Sequence, residues 1–90
     1  MEFEWDQVKA ASNLIKHGVP FETAMRVFRD RNRIEIDVTR RIDREDRFKC
    51  VGLIGNRLFA VVFHWRGSVC RIISARPTNK QEESIYDRRA

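Results

Sequence analysis

Metal and redox chemistry find little to work with in this chain. Its two cysteines, Cys50 and Cys70, lie twenty residues apart with no Cys-x-x-Cys spacing. Its two histidines, His17 and His64, complete no zinc-ligand pattern. Reduced, buried thiols in a cytoplasmic protein are the expectation. Only four glycines are present and none cluster, which excludes a glycine-rich phosphate loop. No serine or cysteine stands in a nucleophile signature. The longest apolar run, Leu58 to Phe63, has six residues, against the roughly 18 that a membrane span needs. The start, Met1-Glu2-Phe3-Glu4-Trp5-Asp6, is acidic and amphipathic, unlike the basic and then apolar pattern of an export signal. No cofactor, metal or membrane association is expected. Repeats and linkers are also lacking, so residues 1–90 are read as one domain.

Positive charge is what the chain has in excess. Eighteen Lys and Arg face 13 acids, a net charge of +5, and Arg dominates, a side chain suited to bidentate phosphate contacts and to stacking on bases. Between residues 50 and 81 lie Arg57, Arg66, Arg71, Arg76 and Lys80 with no acid at all. That stretch predicts an uncompensated basic surface on the folded sheet and an anionic partner, nucleic acid first. A merely solvated basic face is the other reading.

Alternation and helical spacing give an α+β order. Phe3 and Trp5 alternate with Glu2 and Glu4 as a short edge strand. Asp6 is placed to cap a helix over about 7–17, with Val8, Ala11, Leu14 and Ile15 as its apolar stripe and Gly18 as its left-handed close. Pro20 suits the first turn of a second helix carrying Phe21, Ala24, Met25 and Phe28. Ile34, Ile36 and Val38 alternate as a strand. The charged stretch 39–46 reads as a mobile loop. Phe48–Ile54, Leu58–Trp65 and Val69–Ala75 follow as three strands joined by tight turns at Gly55-Asn56 and Arg66-Gly67. Thr78 and Gln81 have capping-box spacing for a last helix over about 79–88, with Ile85 and Tyr86 facing inward. Leu58–Phe63, apolar on both faces, is expected to be a central strand covered on both sides. Two helices cover one face; a partner protein is one answer for the other.

The remaining polar groups suit RNA chemistry. RNA carries its own nucleophile, the 2′-hydroxyl, so a protein need only take a proton, stabilise the phosphorane and protonate the leaving 5′-oxygen. Lys16, His17, Glu22, Arg71, Arg76 and Tyr86 are the candidate catalytic residues. Arg57, Arg66 and Lys80 are candidates for contact with the RNA backbone. Each also has a plainer role. Lys16, His17 and Glu22 match helix dipoles, Arg57 suits a turn, and Tyr86 suits the core. His64 reads as a hydrogen-bonded sheet residue. Arg71 and Arg76 have opposite parity, so a regular strand puts them on opposite faces unless it ends before Arg76. A basic nucleic-acid-binding module without turnover, or a structural partner of an acidic protein, remains open.

Nearly the whole chain resembles one family. Phe3-Glu4-Trp5-Asp6, Lys9, Asn13, Lys16-His17-Gly18-Val19, Phe21-Glu22, Ala24 and Val27-Phe28 are similar to the N-terminal half of the BrnT family. Arg47, Gly52, Arg57-Leu58, Val61-Val62, the run Arg71-Ile72-Ile73-Ser74-Ala75-Arg76 and Tyr86 agree with its second half. The resemblance implies a RelE-like fold: an antiparallel sheet of about four strands plus the short edge strand, two N-terminal helices and a C-terminal helix. It also implies a ribonuclease toxin of a bacterial type II toxin–antitoxin system, metal-independent and inhibitory to translation and growth. A BrnA-like antitoxin with a ribbon-helix-helix domain would be its partner, and operator DNA would be reached only through that antitoxin.

Overall fold

A computed structural model describes residues 1–89. In chain order the elements are β1 (Glu2–Trp5), α1 (Gln7–His17), α2 (Phe21–Ala24), a 3-10 turn (Met25–Arg29), β2 (Ile34–Asp37), β3 (Phe48–Ile54), β4 (Arg57–Arg66), β5 (Val69–Pro77) and α3 (Lys80–Arg89). The five strands form one sheet in the order β1-β5-β4-β3-β2. The apolar strand β4 is central, as its two-sided hydrophobicity requires. The sheet is mixed rather than antiparallel, because β1 pairs parallel with β5 while the other three pairings are antiparallel. The reason is connectivity: the helices and strands between them carry the chain away from β1, and β5 returns beside it in the same direction. The second helix is shorter than its spacing suggests. It is α-helical only over Phe21–Ala24 and then tightens into the 3-10 turn, which ends at Asp30.

One core fills the face beneath α1, α2 and the 3-10 turn. Phe21, Ala24, Val27 and Phe28 meet Cys50, Val61, Phe63, Cys70, Ile72 and Ala75 there. Gly52 permits the close approach of β3 to the 3-10 turn, since a Cβ at that position would lie 2.9 Å from the Val27 carbonyl oxygen. Burial pushes both thiols, Cys50 and Cys70, up to about 12, so neither is a ready nucleophile. On the opposite face α3 lays Tyr86 and Ile85 over Ile34, Val51 and Ala60. The inward turn of both side chains agrees with the sequence expectation. The cap of α3 lies one residue later than expected. Asn79 accepts from the Glu82 amide at 2.9 Å and Glu82 accepts from the Asn79 amide at 3.0 Å, a reciprocal box that Thr78 and Gln81 do not form. Thr78 instead donates its hydroxyl to Leu58 O and to Glu83.

The ends of α1 follow the sequence and its rotation does not. Asp6 accepts from the amides of Val8 and Lys9, and Gly18, at φ 72°, donates back to Leu14 O. Yet Val8 is 79% exposed, Ile15 89% and Leu14 47%, while Asn13 is buried. The cause is the edge of β5. β1 ends at Trp5 opposite Ile72, leaving the rest of β5 without a strand on that side. Asn13 takes the place of one: its amide donates to Ala75 O at 2.8 Å and accepts from Ala75 N at 3.1 Å. It donates also to Val19 O. Buried backbone groups left unpaired cost about 1–3 kcal/mol each, and among these side chains only an amide offers both a donor and an acceptor. The helix therefore turns Asn13 inward and its apolar stripe out.

Candidate functional site

A bulge decides where the arginines go. Along β4 and β5, Phe63 is opposite Ile72 and Val62 is opposite Ser74, so Ile73 has no partner on β4. The extra residue resets the alternation. Arg71, opposite His64, and Arg76, opposite Ala60, consequently lie on the same face of the sheet, not on opposite faces as regular alternation predicts. Pro77 does not cut the strand short; it pairs with Phe59. The shared face is the one α3 partly covers, and the two arginines sit four β4 residues apart, about 13 Å along the strand.

This face is ordered by carboxylates from remote segments. Arg71 donates to Glu4 at 2.8 Å, and Arg66 donates to the same oxygen at 3.0 Å. Glu82 of α3, 2% exposed, takes a two-armed contact from Arg76 at 2.8 and 2.7 Å and a third bond from Lys49 at 2.7 Å. Burial alone would raise the Glu82 carboxyl; the bonds from Arg76, Lys49 and the Asn79 amide outweigh it and bring the group down to about 2. The basic stretch 50–81 is therefore compensated only in part. Glu4 serves both Arg66 and Arg71, and Glu82 serves Arg76 together with Lys49, so the counter-charges come from outside the stretch and leave positive charge in excess.

His64 adjoins Arg71 and is hydrogen-bonded, as a sheet histidine is expected to be. Its Nδ1 lies 2.9 Å from the Asp46 carbonyl oxygen and its Nε2 lies 2.7 Å from Glu45. These contacts tie the charged loop 38–47 to the sheet. The loop is cross-linked internally as well. Asp43 holds Arg40 through backbone and side chain, and Thr39 pairs with Arg47. Arg40 and Asp43 shift each other's pKa in opposite directions, each through the shared side-chain hydrogen bond first.

The other candidates divide by position. Lys16 and His17 end α1 beside Ile73 and Ser74, where a shallow pocket of about 200 Å³ wraps the edge of β5. No arginine lines that pocket, so Lys16 and His17 are brought to the edge of β5 and not to Arg71 or Arg76. Glu22 lies in the groove between α1 and α2, on the helical side of the sheet, and is not brought to the arginines. Tyr86 is buried, and its hydroxyl donates to Asp30 at 2.6 Å. Burial first, and the bond to Asp30 second, push that phenol up to about 12. Asp30 stays below its ordinary value despite burial, because Tyr86, the Leu53 amide and the Asn32 amide all donate to it. Arg57 opens β4, nine residues from Arg66 at the far end, with its guanidinium 5.4 Å from the Phe59 ring centre. Lys80 is exposed at the start of α3. Sequence reading missed Lys49 and Glu82. The signal for Glu82 was slight: an acid three residues after Asn79, a capping-box spacing that hid its second task.

Among the described residues, no group of three or more His, Cys, Asp or Glu side chains is arranged to hold a metal ion. No described helix is long and apolar enough to cross a membrane.

An arginine-lined sheet face ordered by carboxylates suits a protein that handles nucleic-acid phosphate. The family comparison agrees. A model described as the ribonuclease toxin BrnT of a type II toxin–antitoxin system matches residues 5–82, and the chain belongs to that family. A search of curated proteins returned no match.

Proposed function

We propose that this chain is an endoribonuclease that cleaves RNA without a metal ion, through attack of the substrate's own 2′-hydroxyl on the adjacent phosphorus. Support comes from membership of a ribonuclease toxin family and, above all, from the bulge that aligns Arg71 and Arg76 on one face. Each guanidinium is fixed by its own carboxylate, Arg71 by Glu4 and Arg76 by Glu82, and so is preorganised to meet phosphate charge along that face. His17 and Lys16, at the edge of β5 beside Ser74, serve as proton carrier and backbone anchor. Arg66, Arg57 and Lys80 extend the contact with RNA. Glu22 and Tyr86 are the other candidate proton carriers, but Glu22 lies on the helical side of the sheet and the Tyr86 hydroxyl is committed to Asp30. Cleavage of cellular RNA would stop translation and growth until an antitoxin, of the ribbon-helix-helix type that BrnT resemblance implies, binds the toxin; operator DNA would be bound by that antitoxin.

Purified protein is expected to cleave RNA in excess chelator and to leave 2′,3′-cyclic phosphate ends. Loss of cleavage on chelation, restored by magnesium, would overturn the mechanism. One observation favours a second reading. Arg71 and Arg76 already have carboxylate partners, which would also suit a static phosphate-binding surface. RNA binding with no turnover under the same conditions would establish that non-catalytic module instead.

A further inference from the structure

The apolar ridge on α1 has no partner within the chain. Val8, Ala11 and Ile15 recur at helical spacing along the outward side, and Leu14 flanks them. Two shallow grooves run beside this ridge. One, of about 190 Å³, is lined by Ala11, Leu14, Pro20 and Phe21, with Glu22 of α2 on its far side from the lysines. The other, of about 200 Å³, is lined on its α1 side by Lys9, Ser12, Lys16 and His17. A ridge of exposed aliphatic side chains between grooves is the form of surface that receives an amphipathic segment.

Charge identifies the kind of occupant. α1 carries Lys9 and Lys16 and no acid anywhere in Gln7–His17. A second copy docked ridge to ridge would bring four lysines together with no carboxylate from either helix to offset them, inside a chain already at +5. An acidic segment would set its carboxylates against the same lysines and its apolar side against Val8 and Ile15. The 3-residue and 4-residue spacings of the ridge match an amphipathic helix laid along it.

We propose that the outward face of α1, with Val8, Ala11, Leu14 and Ile15 at its centre and Lys9 on its flank, receives an acidic amphipathic segment of the antitoxin. This assignment rests on the reading of the chain as the toxin of a toxin–antitoxin pair. Val8, Ala11 and Ile15 lie outside the pocket that holds Lys16 and His17, so loss of docking on the ridge is separable from loss of cleavage.

The test uses the full chain and, as probe, the purified product of the reading frame adjoining its gene. Three forms are compared: wild type, Val8→Ser with Ile15→Ser, and Lys9→Glu. All three changed positions are exposed, so the variants are expected to melt as wild type does. Burial of two large aliphatic side chains sets the expected loss of affinity for the double variant at about 10²-fold or more. Lys9→Glu is expected to weaken binding about tenfold, with an effect that shrinks at high salt. RNA cleavage by the free double variant stays at the wild-type rate. Equal affinity of the double variant and wild type would overturn the surface assignment while leaving the toxin–antitoxin reading intact. Failure of wild type itself to bind would overturn both. Sedimentation showing a dimer of the chain alone that the double variant dissolves would assign the ridge to self-association and overturn the proposal.

Discussion

Glu82→Ala is expected to cost about 3 kcal/mol or more of folding stability, the scale for breaking a buried ion pair from one side. The substitution strips Arg76 and Lys49 of their shared carboxylate and removes half of the α3 cap at once. For a domain of this size that loss moves the melting temperature by roughly 15 °C, which thermal unfolding reads directly. Glu82→Gln keeps the shape and part of the hydrogen bonding and is expected to cost less. Acid gives an independent view of the same group. The folded carboxyl is held at about 2, below its ordinary 4.5. Its contribution is therefore complete above about pH 5 and is lost as pH falls towards 2. The stability of wild type should drop through that window, and the drop should be shallower in Glu82→Gln. Parallel acid titrations of the two proteins would count against the role of Glu82 as the keystone of the Arg76–Lys49 cluster.

Arg71→Lys is expected to slow cleavage on the order of 10²-fold, the scale for losing one preorganised charge-stabilising donor. The change keeps the charge but loses the planar fork, one arm of which holds Glu4. RNA affinity should fall far less, because non-specific binding follows the number of positive charges more than their geometry. Arg66→Lys is the control. It shares Glu4 with Arg71, but its side chain is 60% exposed at the end of β4, and neither rate nor affinity should change much. Single-turnover cleavage beside filter binding at one salt concentration separates the two effects. Equal, small losses for Arg71→Lys would make it a phosphate anchor only and would favour the non-catalytic module.

Much of this molecule is written locally in its sequence. The caps of α1 at Asp6 and Gly18, the central place of β4 and the inward turn of Tyr86 all follow from short-range spacing and side-chain chemistry. What local pattern misread depends on partners far along the chain. Val8, Leu14 and Ile15 have the spacing of a buried stripe, yet the need of Ala75 for a hydrogen-bonding partner, 62 residues from Asn13, rotates the helix the other way. The direction of β1 could not be read from Phe3 and Trp5, since alternation is the same in parallel and antiparallel strands. The candidate site was legible in its residue types and not in its arrangement. Glu4 and Glu82, 67 and 6 residues from Arg71 and Arg76, order part of the charge excess into ion pairs and leave the rest of it in place. Parity along β5 failed because a bulge is a property of two strands together, visible only in the register with β4.

That bulge also changes what counts as the same motif. Between Arg71 and Arg76 the chain holds one residue more than alternation can use, and Ile73 absorbs it. A chain with the two arginines four residues apart and no bulge would present the same pair on the same face, opposite the same two positions of β4. Five with a bulge and four without are therefore geometrically equivalent spellings. An alignment that forbids gaps inside strands would score them as different and miss the correspondence. The meaningful spacing between these arginines is the one counted along β4, from His64 to Ala60, rather than along the strand that carries them.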